Sequence, residues 1–250
     1  MLEKAEGIVI RTLPYGESHL IVKVFTKEKG KLALMAKGAK KPKSQYAAIC
    51  QPYAHTHLTF YMGKSMGTLS QGEMLHTFRS LREDLDMSAY AAYILELLDS
   101  SVEEKQSSPN LFALVLHLLE RLEAGDDPVL LRRVFEWKVT HLLGIRPQLK
   151  ACANCGEAKG IFSFSIKEAG FLCNRCKHTD QYRLALTDEE VRMLREWFYV
   201  RTPNIEQIEV SIAMRDKLAS VIDTYYDQYS GLRLKSKRFL DQWENWKPKA

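Results

Sequence analysis

The chain has 250 residues, 46% hydrophobic and 10% aromatic, and a formal net charge of +5, enough apolar material for one large domain or two to three small ones. Its longest apolar run, residues 111–119, is interrupted by His117 and falls well short of the ~18 residues that span a bilayer. The opening MLEKAE runs into an alternating strand pattern and lacks both the basic and the apolar region of a secretory signal, so a cytoplasmic protein without a membrane segment is expected.

The charge is unevenly placed. Residues 1–80 hold twelve Lys/Arg against five Asp/Glu, a net of +7, and the remainder nets −2. Such asymmetry predicts a polyanion-binding module joined to a part with a different task. Within residues 1–80 the runs GIVIRTL, HLIVKVFT, KLALMA, HTHLTFY and GTLSQGEML alternate or are β-branched, and glycine and proline turns separate them. They predict five short strands closing into a small barrel. An OB-fold is the five-strand barrel most associated with nucleic acid, and an SH3-like barrel shares much of the pattern. Between the third and fourth runs lies AKGAKKPKSQY, with Lys37, Lys40, Lys41 and Lys43 and no acid among them. A solvated charge run is the ordinary reading of such a loop; a phosphate-binding loop is the functional one. Cys50 reads as a small buried hydrophobe.

Gly63-Lys64-Ser65 does not make a phosphate loop, because Leu58 stands where the motif needs a glycine and no strand leads into a helix there. No nucleotide site is expected. His55 and His57 lack a third ligand and read as ordinary strand residues. No catalytic constellation appears anywhere along the chain.

From about residue 84 the apolar period becomes helical. Tyr90, Ile94 and Leu97 mark one face, PNLFALVLHLLERLEA a second helix, and DPVLLRRVFEWKVTHLLG a third, with Pro128 in its first turn and Gly144 and Pro147 as stops. This first helical part covers 81–148. Thr187 to Glu190 reads as a capping box opening another helix, and SIAMRDKLASVIDTYYDQYSG is one more, closed by Gly231. This second helical part covers 181–250.

Between the two parts, residues 149–180 carry Cys152 and Cys155, a 17-residue gap, then Cys173 and Cys176. Paired Cys-x2-Cys knuckles at this spacing predict one zinc ion held by four thiolates, with IFSFSIKEAGF as the hairpin between them. Two redox dithiols or a cluster are the alternatives. Four thiolates leave no open position, so the zinc is structural. His178 is a substitute ligand that the four cysteines make unnecessary. The ribbon is too small to bury its own core, so metal loss is expected to unfold it locally.

Taken together, RTLPYGESHLIVKVFTKEKGKLALMAKGAKKPKS, GTLSQGE and LLGIRPQLKACANCG…FLCNRC resemble the bacterial RecO family of recombination mediators, over essentially the whole chain. The family often has an acid where this chain has His19, and Gly-Gly where it has Ala169-Gly170. The resemblance implies an α+β architecture: an OB-type DNA-binding barrel (1–80) followed by a helical domain carrying a four-cysteine zinc ribbon. It implies a non-enzymatic repair protein, cytoplasmic and nucleoid-associated. Such a protein binds single- and double-stranded DNA, anneals complementary strands, and with RecR loads RecA onto DNA coated by single-strand-binding protein, whose C-terminal tail it contacts. On that reading Lys37, Lys40, Lys41 and Lys43 neutralise phosphates, and Arg11, Lys23, Lys27, Lys29 and Lys31 extend the groove. Tyr15, Phe25, Phe60 or Tyr61 would stack bases, and Arg233, Lys235, Lys237 and Arg238 form a second DNA contact or a solvated face. The rivals are a zinc-ribbon protein adapter and, further off, a nuclease.

Overall fold

Period-two alternation over residues 2–76 sends one row of side chains inward and yields five strands: β1 (Leu2–Tyr15), β2 (His19–Thr26), β3 (Gly30–Ala36), β4 (His55–Tyr61) and β5 (Gly67–His76). In the computed structural model, which describes residues 1–246, they close into a barrel in the order β1-β2-β3-β5-β4. β3 and β5 run parallel and the other neighbouring pairs antiparallel. β1 is long because it serves two partners: Leu2–Ile8 pairs with β4 and Gly7–Tyr15 with β2, with a register shift between Val9 and Arg11. Val9, Val22, Val24, Leu34, Leu58 and Phe60 fill the interior.

Seven helices follow among the described residues: α1 (Arg79–Glu83), α2 (Leu85–Ser101), α3 (Pro109–Glu123), α4 (Pro128–Val139), α5 (Asp188–Tyr199), α6 (Ile212–Tyr229) and α7 (Lys235–Trp246). The starts of α2 and α5 obey capping chemistry. Asp84 accepts the amides of Asp86 and Met87 at 2.8 and 3.1 Å, and Thr187 and Glu190 form the expected capping box. α4 stops at Val139, before Gly144. The Thr140 hydroxyl donates to the Trp137 carbonyl at 2.8 Å, and the amides of Leu142 and Leu143 both turn back to Val139, so turns replace the last helical rungs.

The chain divides into two compact units, residues 1–128 with 234 onward, and 129–233. The helical body is therefore shared. α1, α2, α3 and α7 belong with the barrel, whereas α4, α5 and α6 belong with a small sheet ordered β7-β6-β8, made of β6 (Phe162–Ser165), β7 (Gly170–Cys173) and β8 (Leu184–Ala185). In the first unit Gly30, at φ +67°, lets the backbone of Gln106 approach so closely that a Cβ would lie 2.1 Å from its carbonyl oxygen.

Candidate nucleic-acid interface and metal centre

The lysine loop leaves β3 through consecutive turns. Gly38 adopts φ +71°, a left-handed conformation that glycine takes without steric cost. The backbone is pinned: the Gly38 amide donates to His19 Nδ1 at 2.9 Å, and the Lys40 amide to the Ser18 carbonyl at 3.0 Å. Ala39 is buried beneath the loop, while Lys37, Lys40, Lys41 and Lys43 are exposed. Their ammonium groups make no ion pair or hydrogen bond with any described residue.

Five other cations on the barrel are committed. Arg11, Lys23 and Lys31 converge on one carboxylate, Asp99 of α2, at 3.4, 3.6 and 3.1 Å. Lys31 is buried and also donates to the Asp99 carbonyl at 2.5 Å. Lys27 bonds Glu6 at 2.9 Å and Lys29 bonds Glu3 at 2.8 Å. The charge that Arg11, Lys23, Lys27 and Lys31 bring to a groove is thereby reduced but not cancelled, since Asp99 and Glu6 supply two carboxylates for four cations, and Lys31 is withdrawn from the surface altogether. Asp99 gave no sequence signal, because it lies 68 residues from Lys31 on a different kind of element.

Phe25 and Phe60 are fully buried and belong to the core, so neither can stack on a base; Tyr15 and Tyr61 are exposed. His55 is bonded to Glu6 at 2.9 Å. Burial alone would raise the Glu6 pKa, but the bonds from Lys27 and His55 outweigh it and hold that carboxyl below its ordinary range. Burial pushes the Cys50 thiol up to about 12, so this cysteine is an inert core residue. In the C-terminal basic cluster, Arg233 ends the second unit, whereas Lys235, Lys237 and Arg238 occupy the first turn of α7 in the other unit. Cations are unfavourable at a helix N-terminus. Glu96 offsets them by accepting the amides of Lys235 and Ser236 at 3.2 and 2.7 Å, together with the Ser236 hydroxyl.

In the second unit the sulfurs of Cys152, Cys155, Cys173 and Cys176 all lie within 4.8 Å of one another. Cys155 and Cys173 are 3.7 Å apart, close to the edge of about 3.8 Å expected for four sulfurs bonded tetrahedrally to zinc. Tight turns shape both knuckles: Gly156 N bonds Cys152 O at 2.9 Å, and Cys176 N bonds Cys173 O at 2.9 Å. Burial opposes ionisation of Cys152, but amides of Cys173, Cys155 and Asn154 outweigh it and bring its thiol down to about 6. At Cys176 a bond from Asn154 favours the thiolate, yet the neighbouring thiols of Cys155, Cys173 and Cys152, together with burial, push it up to about 12. One pocket therefore gathers four thiols, a donor set that a soft divalent cation fits. His178 is exposed, and its Nδ1 meets the Arg175 carbonyl at 2.9 Å, outside the cluster.

The hairpin between the knuckles is anchored. Phe164 packs against Trp137 and Tyr225 at ring separations of 6.0 and 5.9 Å, and Ser165 donates to the buried Asp180 at 2.6 Å. Ala169 sits at φ +50°. That left-handed turn lets Gln148 bond both Ala169 O and Phe171 N. Gly170 must remain small, since a Cβ would lie 2.4 Å from the Gln148 carbonyl oxygen.

Among the described residues no helix is long and apolar enough to cross a membrane. Residues 1–78 match the family described as Recombination protein O N terminal, and residues 82–238 match Recombination protein O C terminal. The chain is 44% identical to the DNA repair protein RecO of Listeria monocytogenes over 247 residues, covering 98% of this chain and 97% of that one. It is 42% identical to the DNA repair protein RecO of Bacillus subtilis, covering 99% and 97%, and 43% identical to that of Bacillus pumilus, covering 99% and 96%. With both halves matched in order and relatives similar over nearly the full length, the chain belongs to the RecO family of DNA repair proteins.

Proposed function

We propose that this protein is a non-enzymatic recombination mediator that grips DNA through its lysine loop. The observation that carries the reading is the contrast in charge pairing. Lys37, Lys40, Lys41 and Lys43 project from a pinned backbone with no acid beside them, whereas Arg11, Lys23, Lys27, Lys29 and Lys31 are matched to Asp99, Glu6 and Glu3. Lysine is a hydrated point charge that reads no base, so single and double strands would bind without sequence preference. Annealing of complementary strands needs only charge neutralisation and proximity. The family resemblance adds the partners: RecR, RecA loading, and the tail of single-strand-binding protein. The four-cysteine centre is assigned one structural zinc ion. Its closed ligand set leaves no position for substrate, and its task is to hold the knuckles.

The test is a salt titration of binding to single-stranded oligonucleotides. Neutralising about four phosphates gives a slope of about −3 in log K against log salt. Lys40→Glu/Lys41→Glu should flatten the slope and weaken binding on any sequence. A zinc-ribbon adapter would keep its partner binding in that variant and show no salt-dependent DNA affinity in the native chain.

A further inference from the structure

A concavity of about 530 Å³ opens on the outer face of β4 and β5, beside the segment that follows the lysine loop. We propose that it is a base pocket, taking one unstacked nucleobase of a single strand whose phosphates lie on the lysine loop; the assignment rests on the DNA-binding reading above. Its size falls within the range of small-molecule sites, but its lining is mostly polar, with one aromatic ring, that of Tyr46, among Lys4, Gln45, His57, Thr59, Gln71 and Glu73. The floor is the strand backbone at Gly72 and Leu58, the Leu58 side chain being turned into the barrel core, and Tyr46 forms a wall. The Tyr46 ring is fixed, because its hydroxyl donates to the Ser70 carbonyl at 2.8 Å.

Around this floor stand Gln45, Gln71, His57, Glu73 and Lys4. None of their side chains makes a hydrogen bond or ion pair with another described residue. Two amides, an imidazole, a carboxylate and an ammonium offer donors and acceptors together. A phosphate only accepts, and Glu73 would repel it; a base edge presents both donors and acceptors and suits the mixture. Gln45 lies two residues beyond Lys43, so their Cα atoms are at most about 7.6 Å apart. A strand held by Lys41 and Lys43 therefore brings its next base to this opening.

The experiment compares the affinity of the full chain for a thymine 15-mer and for an abasic 15-mer of equal charge, by fluorescence anisotropy at fixed salt. The native protein is expected to prefer the base-bearing strand by about tenfold, as for one stacked base. His57→Ala/Gln71→Ala changes only exposed, unpartnered side chains; it should abolish that preference and leave the abasic affinity unchanged. Lys40→Glu/Lys41→Glu should weaken both strands by the same factor. Equal binding of the two strands by the native chain, or a preference that survives His57→Ala/Gln71→Ala, overturns the pocket while leaving the lysine loop standing. Failure to bind either strand at low salt overturns both.

Discussion

Removing the metal proposed for the four-cysteine centre should open the knuckles and spare the hairpin between them. Residues 152–156 and 173–176 bury little besides three of the four cysteines, and ordering nine residues costs about 9–18 kcal/mol. Structural zinc supplies an apparent ~10–16 kcal/mol, which closes that deficit and disappears with the ion. The hairpin has other support. Phe164 and Phe171 are fully buried, each worth about 1.5–3 kcal/mol. The ring pairs of Phe164 with Trp137, Tyr225 and Phe171 add about 0.5–1.5 kcal/mol apiece, giving roughly 5–10 kcal/mol that owes nothing to metal. Amide hydrogen exchange on the full chain, with and without a strong chelator, reads the difference. Protection should vanish at Gly156, Cys176 and Thr179, whose amides close the knuckle turns, and persist at 162–165 and 170–172. Loss of protection across β6 and β7 to the same extent, with a red shift of Trp137 emission, would refute this reasoning.

Ala169→Gly relieves a left-handed alanine costing about 1–2 kcal/mol against a chain-entropy loss of about 0.5–1 kcal/mol, so urea melts should show equal or slightly higher stability. Gly170→Ala drives a Cβ onto the Gln148 backbone and should cost about 1–3 kcal/mol in the same assay. Glu136 is 1% exposed and receives Arg132 at 3.0 Å and Arg133 at 2.8 Å; Glu136→Gln leaves buried cations without that charge and should cost about 3–5 kcal/mol. At Glu190 burial works against the carboxylate, but bonds from Lys217 and Thr187 outweigh it and hold its pKa below the ordinary 4.5. Its stabilising contribution is therefore complete above pH 4.5 and lost as pH falls through the depressed folded value. Glu190→Gln should remove that part of the acid dependence of thermal melts.

The elements were legible wherever a local rule fixes them. Period-two alternation located all five barrel strands, with β2 and β4 matching to the residue and β1 extending further toward the N-terminus. Thr187 and Glu190 announced α5 by capping chemistry, and thiol spacing alone marked the four cysteines that converge. Features decided by distant partners were not legible. Counting basic residues in 1–80 gave the charge of the module but not its pairing, because three carboxylates, Asp99, Glu6 and Glu3, form ion pairs with Arg11, Lys23, Lys27, Lys29 and Lys31 in space. The division of the helices between units at 128/129 and 233/234 has no local signature, since packing between distant segments decides it. The positive φ of Ala169 has no sequence signature in an alanine.

The central claim is that an unpaired lysine loop is the DNA handle of a mediator. It is tested most directly by fluorescence-monitored annealing of two complementary oligonucleotides without ATP, over a range of salt, comparing the native chain with a folded Lys40→Glu/Lys41→Glu variant. The account predicts fast annealing that declines steeply with salt and is lost in the variant. Annealing by the variant at the native rate, or none by the native chain at low salt, would contradict it.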